Sequence, residues 1–301
     1  MVNDVAFTPG AEEMTEPVLL KGKKIGDQIR AAMCEEITAL KERYGSVPKI
    51  VAISVGEDHA SHLYLKHQSK TAEKVGVQHE VLQFGNDIKD EDLQAALRKL
   101  NEDESVNGII IQMPMPKQIN VGKLLETLDP AKDVEGIHAD NLGLLVLKKA
   151  KLVPCTALSA LELILSADID LYGREVVVVG SSKIVGRPLS LMLMDKGATV
   201  TVCDIGTSER GLLESHVKRA EVLVVAVGKA GLIPGEWIRE ESLVIDIGIN
   251  HVDGKIVGDV DFESACKKAK YITPVPGGVG PLTVTMLMRN ALKAYKMQKG
   301  I

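Results

Sequence analysis

The sequence predicts an α/β protein with two domains: an N-terminal three-layer α/β domain and a C-terminal Rossmann-type dinucleotide-binding domain. Two observations indicate this class. Apolar, strand-like runs alternate with amphipathic helical segments along most of the 301 residues, an order typical of parallel sheets covered by helices. Residues 176–188 read VVVVGSSKIVGRP, which is a buried strand followed by a glycine turn and the start of a helix.

The composition excludes several classes of protein. A net charge of −5 without any basic run argues against nucleic-acid binding. No apolar stretch has membrane-spanning length and no signal peptide is visible, so we expect a cytoplasmic protein without a membrane partner. The four cysteines lie far apart and the seven histidines lack metal-ligand spacing, so we expect free thiols and no metal site.

The first domain is predicted over residues 17–154, after a flexible tail at residues 1–16. A short strand and a long amphipathic helix open it within residues 18–45. Strands are then expected at 49–56, 77–85 and 106–116. Helices follow them in turn: the first is capped by Ser61 and ends near residue 75, and the others are at 90–103 and 121–130. A polar loop follows, and a helix over 152–168 leads into the second domain.

The second domain is predicted over residues 155–281. Its strands are expected at 176–180, 199–204, 222–228, 243–248 and 270–274, and its helices at 186–196, 209–218 and 234–238. The last helix, 282–298, is apolar on one face. We expect it to cross back and pack against the first domain, so residues 282–301 are counted with that domain.

The turn after the first strand of the second domain is a candidate anion site. Gly180, Ser181 and Ser182 precede a helix N-terminus, where free N–H groups bind the pyrophosphate of a dinucleotide. The spacing GSSKIVG lacks the middle glycine of GxGxxG, so a tight turn in another α/β domain is about equally compatible with it. Asp204 ends the next strand, where a carboxylate accepts hydrogen bonds from the ribose and repels a 2′-phosphate. It favours NAD over NADP, unless it only caps the next turn.

Other stretches give weaker indications. The loop YITPVPGGVGPLT at 271–283 combines rigid prolines with closely approachable glycines, which favours the wall of a ligand site, with DIGIN at 246–250 beside it. In the first domain, Tyr64 and Gln68 share a helix face, Gln112 ends a strand and Asp133 lies in a polar loop. Spacing alone favours ordinary surface or capping roles for these four residues.

Together these stretches resemble the methylenetetrahydrofolate dehydrogenase/cyclohydrolase family from about residue 17 onward. The resemblance rests on VGEDHASHLYLKHQSKTAEKVG, GIIIQMPMP, DPAKDVEGIH, VVVVGSSKIVGRPLS, VVAVGKAG, VIDIGIN and, most specifically, PVPGGVGP. It implies a folate-binding catalytic domain, a dinucleotide domain, a cleft between them and a homodimer.

The resemblance also implies the site residues. Tyr64 would lie near the pterin and the reacting carbon, Asp133 would accept hydrogen bonds from the pterin, and Gln112 would hold the side chains around the catalytic position. The substrate would also meet the glycine-rich loop at Pro276, Gly277 and Gly278. The cofactor would be held at Gly180, Ser181, Ser182, Gly228 and Ile249.

Two departures from the family pattern affect the expected function. The family's helix reads Tyr-x-x-x-Lys, and that lysine is central to the cyclohydrolase step, but here the fourth residue after Tyr64 is Gln68. A carboxamide cannot transfer protons near neutral pH, whereas hydride transfer from the methylene carbon needs no proton transfer. NADP-using relatives carry basic or hydroxyl groups after the first glycine and after the second strand, whereas here Ser181 follows the glycine, Asp204 follows the strand, and neither segment offers a cation for a 2′-phosphate.

These observations predict an NAD-dependent 5,10-methylenetetrahydrofolate dehydrogenase whose cyclohydrolase activity is lost or very weak. One alternative is a bifunctional, NADP-dependent dehydrogenase/cyclohydrolase in which another group activates water. A second is a catalytically silent protein that binds folate or nucleotide. The joint presence of Asp133 and PVPGGVGP argues against the silent protein.

Overall fold

The computed structural model describes residues 16–301 and has the predicted two-domain α/β architecture. Of the predicted tail, all but Glu16 lies outside the described residues, so the tail stays a prediction. Within that range, no helix is both long and apolar enough to cross a membrane. The N-terminal part contains these elements: β1 (Val18–Leu19), α1 (Gly22–Tyr44), β2 (Lys49–Val55), α2 (His59–Val75), β3 (Gln78–Phe84), α3 (Asp90–Glu102), β4 (Gly108–Ile111), α4 (Val121–Thr127) and α5 (Ala139–Val146).

The N-terminal sheet is parallel and has the strand order β3-β2-β4. Successive residues of β2 point to opposite faces. Ile50 and Ala52 pack into an apolar cluster with α1 and α2, whereas Val51 and Ile53 pack into another with α3 and α4. Helices therefore cover both faces of the sheet, which gives the three layers that the sequence predicts.

The remaining elements form the second sheet, its covering helices and the last helix. They are α6 (Cys155–Leu165), β5 (Glu175–Val179), α7 (Gly186–Met194), β6 (Thr199–Cys203), α8 (Ile205–Glu209), α9 (Leu213–Arg219), β7 (Val222–Val225), a 3₁₀ turn (Gly235–Trp237), β8 (Leu243–Asp246), β9 (Asn250–Val252), β10 (Lys255–Val257), α10 (Phe262–Ala265), β11 (Tyr271–Ile272) and α11 (Gly280–Lys299). The sheet is parallel throughout, with the order β1-β11-β8-β7-β5-β6.

Strand β1 belongs to the second sheet, where it pairs with β11, although the sequence places it with the first domain. Its register, Val18 opposite Tyr271, depends on a contact between distant parts of the chain that local pattern does not contain. The bounds 17–154 and 155–281 otherwise stay predictions.

Helix α11 packs against α1 and α2 of the N-terminal domain and against α6. Asn290 lies on it, fully buried, and donates hydrogen bonds from Nδ2 to the backbone oxygens of Val134 and Val153, both at 2.9 Å. One side chain thus joins the last helix to two chain segments that border the cavity described below.

Several local predictions need correction. Helix α2 is capped by Asp58, whose Oδ2 accepts from the Ser61 N–H at 2.8 Å, so Ser61 lies inside the helix and does not cap it. The region expected as one helix at 209–218 forms α8 and α9. The polar loop contains α5, and the helix expected at 234–238 is a 3₁₀ turn.

The β9–β10 hairpin turns at Asp253 and Gly254, which both have positive φ. An Asp-Gly pair is typical of a two-residue hairpin turn.

Candidate active site

A cavity of about 390 Å³ lies between the two domains, and several parts of the chain line it. The N-terminal domain contributes Tyr64 and Gln112, the glycine turn of the second sheet contributes Ile184, and α11 contributes Thr283. The other lining residues are Ile111, Met113, Val121, Leu125, Glu135, Ile137, Pro154, Cys155, Thr156 and Leu287. The wall is mostly apolar with a few polar groups, which is typical of a small-molecule site.

Tyr64 lies on α2 with its ring against the main apolar cluster. Burial is the largest influence on its hydroxyl, followed by the nearby side chains of Glu135 and Cys155. Together they raise the pKa of Tyr64 well above its usual value. The phenol therefore stays protonated at neutral pH and can both donate and accept a hydrogen bond.

Gln68 lies one helical turn after Tyr64 and is completely buried. Its Oε1 lies 3.2 Å from Nε2 of His79 on β3. Its Nε2 has no hydrogen-bond partner among the described residues, although the Gln68 side chain slightly lowers the pKa of Tyr64, as a nearby donor would. Gln68 is not part of the cavity wall, so its influence on a ligand passes through Tyr64.

Asp133 does not line the cavity, contrary to the expectation that it contacts the substrate. It is completely buried, and its carboxylate accepts from the backbone N–H groups of Gly136 and His138 and from Asn141 Nδ2, at 2.8–3.0 Å. These bonds shape the turn that follows the segment. In this structure the Asp133 carboxylate stabilises the backbone of that turn.

Glu135, two residues further on, lines the cavity and was not singled out from the sequence. Burial and the neighbouring Asp133 carboxylate raise the pKa of Glu135 to about 7, against a smaller opposing effect of the Ile111 backbone N–H. The segment KDVEG offers two acids, and the turn at Gly136, with φ of 70°, decides which one reaches the cavity. No signal in the sequence alone makes that choice.

Gln112 and Cys155 complete the polar wall of this cavity. Gln112 donates from Nε2 to the Met113 backbone oxygen at 3.0 Å. Cys155 donates from Sγ to the Val134 backbone oxygen at 3.4 Å, and burial raises the pKa of its thiol. The sulfur is therefore a packing group and not a reactive thiolate at neutral pH.

A second cavity, of about 470 Å³, lies at the carboxyl end of the second sheet. Four of the predicted cofactor contacts, Gly180, Ser181, Ser182 and Asp204, line it together. Gly180 has φ of +115°, and a Cβ there would come within 2.3 Å of the Ala226 oxygen, so the turn requires glycine. It leads into the N-terminus of α7, a suitable place for a pyrophosphate.

Asp204 also caps α8, because its Oδ1 accepts from the Gly206 N–H at 3.1 Å. The capping role and the place in the cavity wall coexist. Lys229, from the loop after β7, lines the same cavity. Lys229 lies outside the two segments, after the first glycine and after the second strand, in which the family pattern places groups for a 2′-phosphate.

The backbone N–H of Gly228, a predicted cofactor contact, is already hydrogen-bonded to a carboxylate of the protein. Asp259 accepts the backbone N–H groups of Val227, Gly228 and Lys229 at 2.7–2.9 Å. These N–H groups would otherwise form an anion-binding concavity. Gly228 also does not appear in the wall of the second cavity, although both of its neighbours do.

Ile249, Pro276, Gly277 and Gly278 line a third, smaller cavity of about 130 Å³. The structure does not bring the three loop residues into the wall of the Tyr64 cavity. They immediately precede α11, whose first turn carries Thr283 in that wall. Among the described residues, no group of three or more His, Cys, Asp or Glu side chains is placed to hold a metal ion.

The fold, the Tyr64 cavity and the cavity at the Gly180 turn define a two-domain protein of the dinucleotide-binding dehydrogenase class. The chain belongs to the tetrahydrofolate dehydrogenase/cyclohydrolase family: residues 20–135 match the catalytic domain of that family and residues 154–299 match its NAD(P)-binding domain.

Individual relatives agree with this membership. The bifunctional protein FolD of Nautilia profundicola is 44% identical over 279 residues, which cover 92% of this chain and 97% of the relative. The bifunctional FolD structure from Campylobacter jejuni is 40% identical, with a TM-score of 0.89 and coverage of 93% of this chain and 99% of that one. The Trypanosoma brucei dehydrogenase–cyclohydrolase, solved with NADP and an inhibitor, is 34% identical, with a TM-score of 0.89 and coverage of 96% and 100%.

Proposed function

We propose that this protein oxidises 5,10-methylenetetrahydrofolate to 5,10-methenyltetrahydrofolate by hydride transfer to a nicotinamide dinucleotide. One observation carries the proposal: the Tyr64 cavity is bordered by Ile184, which belongs to the same glycine turn that lines the second cavity. A folate in the first cavity and a dinucleotide in the second would thus meet across this turn. Family membership supports both ligands.

The folate would be held by groups of the first cavity. We assign the contact with the N–H donors of the pterin to Glu135 in place of Asp133, because the carboxylate of Glu135 faces the cavity. Tyr64 and Gln112 would orient the reacting carbon. The hydride leaves with the C–H electron pair, and the resulting cation is delocalised over two nitrogens, so orientation and exclusion of water account for most of what the protein supplies.

The dinucleotide would be held at the Gly180 turn and the N-terminus of α7, with the ribose beside Asp204. When bound, it supplies the hydride acceptor. Gly180 and Gly186 let the turn pack tightly against its own chain, because a Cβ at Gly180 would come within 2.3 Å of the Ala226 oxygen and one at Gly186 within 1.8 Å of the Gly180 oxygen. The Asp204 carboxylate favours NAD. Lys229 and the NADP-bound relative favour NADP as the second possibility.

Gln68 supports a weakened cyclohydrolase step. In this proposal the buried Gln68 carboxamide takes the place of the lysine that the family resemblance implies, and it offers no proton near neutral pH. The names of the relatives, however, favour the bifunctional alternative over this reading. One feature of the cavity is consistent with that alternative, because the raised pKa of Glu135, about 7, suits a proton-transfer group.

An assay with the purified protein separates these functions. The protein is mixed with methylenetetrahydrofolate and either NAD or NADP, and the methenyl product is followed by absorbance. Accumulating methenyl product supports the dehydrogenase proposal, and binding without turnover would favour the silent protein. Decay of added methenyltetrahydrofolate faster than in buffer would establish the bifunctional alternative. Gln68→Lys should speed that decay, and no gain would contradict the role given to Gln68.

We also propose that the protein is a cytoplasmic homodimer. Family resemblance supports the dimer, and the lack of a membrane-spanning helix among the described residues is compatible with the location. Light scattering on the purified protein tests the dimer, and a monomer at micromolar concentration would contradict it.

A further inference from the structure

We propose that Asn290 is a positioning residue, which holds Glu135 at its place in the wall of the Tyr64 cavity and fixes it against the chain segment that contains Cys155. Asn290 lies on α11, is completely buried and does not itself line that cavity. The inference deepens the proposed function, because it rests on Glu135 as the contact with the folate.

The orientation of the Asn290 amide follows from its two acceptors. Its Nδ2 lies 2.9 Å from the backbone oxygens of both Val134 and Val153. A carbonyl oxygen can only accept, so the group that faces both of them is the N–H₂ group. The Asn290 Oδ1 atom is buried and has no hydrogen-bond partner among the described residues. The amide is therefore held by its two donated bonds, one to each of two chain segments.

The bond to Val134 acts on the peptide unit that precedes Glu135. That unit is planar, so the Val134 oxygen and the Glu135 nitrogen turn together. Besides Asn290, the Val134 oxygen accepts from Cys155 Sγ at 3.4 Å, a weaker donor. Asp133 is anchored separately, by a parallel bridge to strand β4. Loss of the Asn290 donor would therefore loosen the backbone at Glu135 and leave the start of the segment in place.

The bond to Val153 acts on the facing segment of the wall. Val153 lies two residues before Cys155, which lines the cavity. The two segments are in direct backbone contact, since a Cβ at Gly136 would come within 2.2 Å of the Val153 carbonyl carbon. Asn290 bridges the segments at this contact and so fixes one against the other.

The position of Glu135 has a consequence that can be measured. Burial and the neighbouring Asp133 carboxylate raise the pKa of Glu135 to about 7. Tyr64 and Cys155 are also close enough to interact with it, and their raised pKa values keep both neutral at pH 7. If the Val134 peptide loosens, the Glu135 carboxylate gains water and distance from Asp133, so its pKa should fall towards the usual value of a glutamate.

Kinetics of two variants of α11 test the proposal. Asn290→Leu and Tyr295→Phe each remove buried hydrogen bonding of this helix, but Tyr295 bonds to Ser46, which is not part of the cavity wall. At pH 8, where Glu135 is mostly ionised, Asn290→Leu should raise KM for methylenetetrahydrofolate about three- to tenfold, the range of one weakened hydrogen bond to the ligand, with a smaller change in kcat. The pH at which KM falls should move below 7. Tyr295→Phe is the matched control and should change neither quantity.

A double-mutant cycle separates positioning from general loss of structure. With Glu135→Gln, Asn290→Leu should cause little further rise in KM, because the carboxylate that Asn290 positions is gone. An equal rise in both backgrounds, or an unmoved pH dependence, would overturn the inference.

Carbon NMR of the Glu135 carboxyl group in the ligand-free protein gives a readout that needs no turnover. Titration near pH 7 is expected in the native protein and at lower pH in Asn290→Leu, and the same midpoint in both would overturn the inference. If Asn290→Leu does not fold, Asn290→Thr decides: one hydroxyl can serve only one of the two oxygens, so the pKa of Glu135 should still fall. A native protein that makes no methenyl product would instead refute the proposed function, while the NMR result would stand by itself.

Discussion

Asp133 and Glu135 lie two residues apart, yet the Asp133 carboxylate is bonded to the turn that follows, and the Glu135 carboxylate faces the cavity between the domains. Asp133 stabilises the backbone turn, and Glu135 is available to a ligand. The pair therefore offers matched variants in which loss of stability and loss of binding can be separated.

Glu135→Gln should weaken folate binding. A neutral amide oxygen accepts less strongly than a carboxylate, so KM for methylenetetrahydrofolate should rise about tenfold or more, the cost of losing a charge-assisted hydrogen bond. Because the pKa of Glu135 is about 7, KM of the native protein should fall as pH rises through 7 and the carboxylate forms. The variant should show no such fall, and an unchanged KM would contradict the assignment of this residue.

The same variant should change the pH dependence of stability. Burial raises the pKa of Glu135 from 4.5 to about 7, so the folded protein favours the protonated form. Its contribution is present below pH 4.5 and is lost as pH rises through 7. Without ligand, Glu135→Gln should be more stable than the native protein at pH 8 by about 2 kcal/mol, after a discount for partial exposure, and equally stable near pH 4. Urea unfolding at both pH values measures the difference, and equal stability at pH 8 would count against it.

Asp133→Ala should destabilise the fold. The change leaves the His138 N–H and one N–H of the Asn141 amide without their buried acceptor, while the Gly136 N–H keeps the backbone oxygen of residue 133 at 3.2 Å. Each lost partner costs about 1 kcal/mol or more, so a loss of about 2 kcal/mol is expected in urea unfolding. Glu135→Ala is the matched control and should cost much less. If Asp133→Ala unfolds like the native protein and only raises KM, Asp133 binds substrate after all.

Asp204→Ser should shift the preference between the two dinucleotides. Serine can still cap α8 by accepting from the Gly206 N–H, so the local fold is kept while the negative charge is removed. The ratio of kcat/KM for NADP to that for NAD should rise about tenfold, because repulsion of the 2′-phosphate is lost. Lys229→Met should lower the same ratio, since Lys229 is a cation in that cavity wall. An unchanged ratio in both variants would remove these residues from cofactor selection.

Much of the architecture could be predicted from local pattern. The run VVVVG predicts a strand buried on both faces, and residues 176–179 of β5 are indeed almost completely buried. The apolar face of the last helix predicts its return to the first domain, where α11 packs on α1 and α2. The pairing of β1 with β11 could not be predicted in this way, because its partner lies about 250 residues away, outside any local window.

The site was less predictable than the fold. Tyr64 and Gln112 do line one cavity, and Gly180 and Asp204 line another. The choice of Glu135 over Asp133 depends on a turn geometry that the letters KDVEG do not contain. Lys229 reaches the cofactor cavity because β7 lies beside β5 in the sheet, although β6 lies between them in the sequence. The contact between Gln68 and His79 likewise joins a helix to the strand that follows it.

The two ends of the described chain are exchanged between the domains. Strand β1 precedes the first domain but extends the second sheet beside β11, and α11 follows the second domain but packs on α1 and α2. Unfolding of either domain would therefore remove a packed element from the other domain. Thermal denaturation should therefore be a single cooperative transition in calorimetry, and a cut in the connecting segment should leave two products that remain associated. For the same reason we expect the two domains to resist wide hinge opening, so that ligands enter from the rim of the cleft between the two sheets.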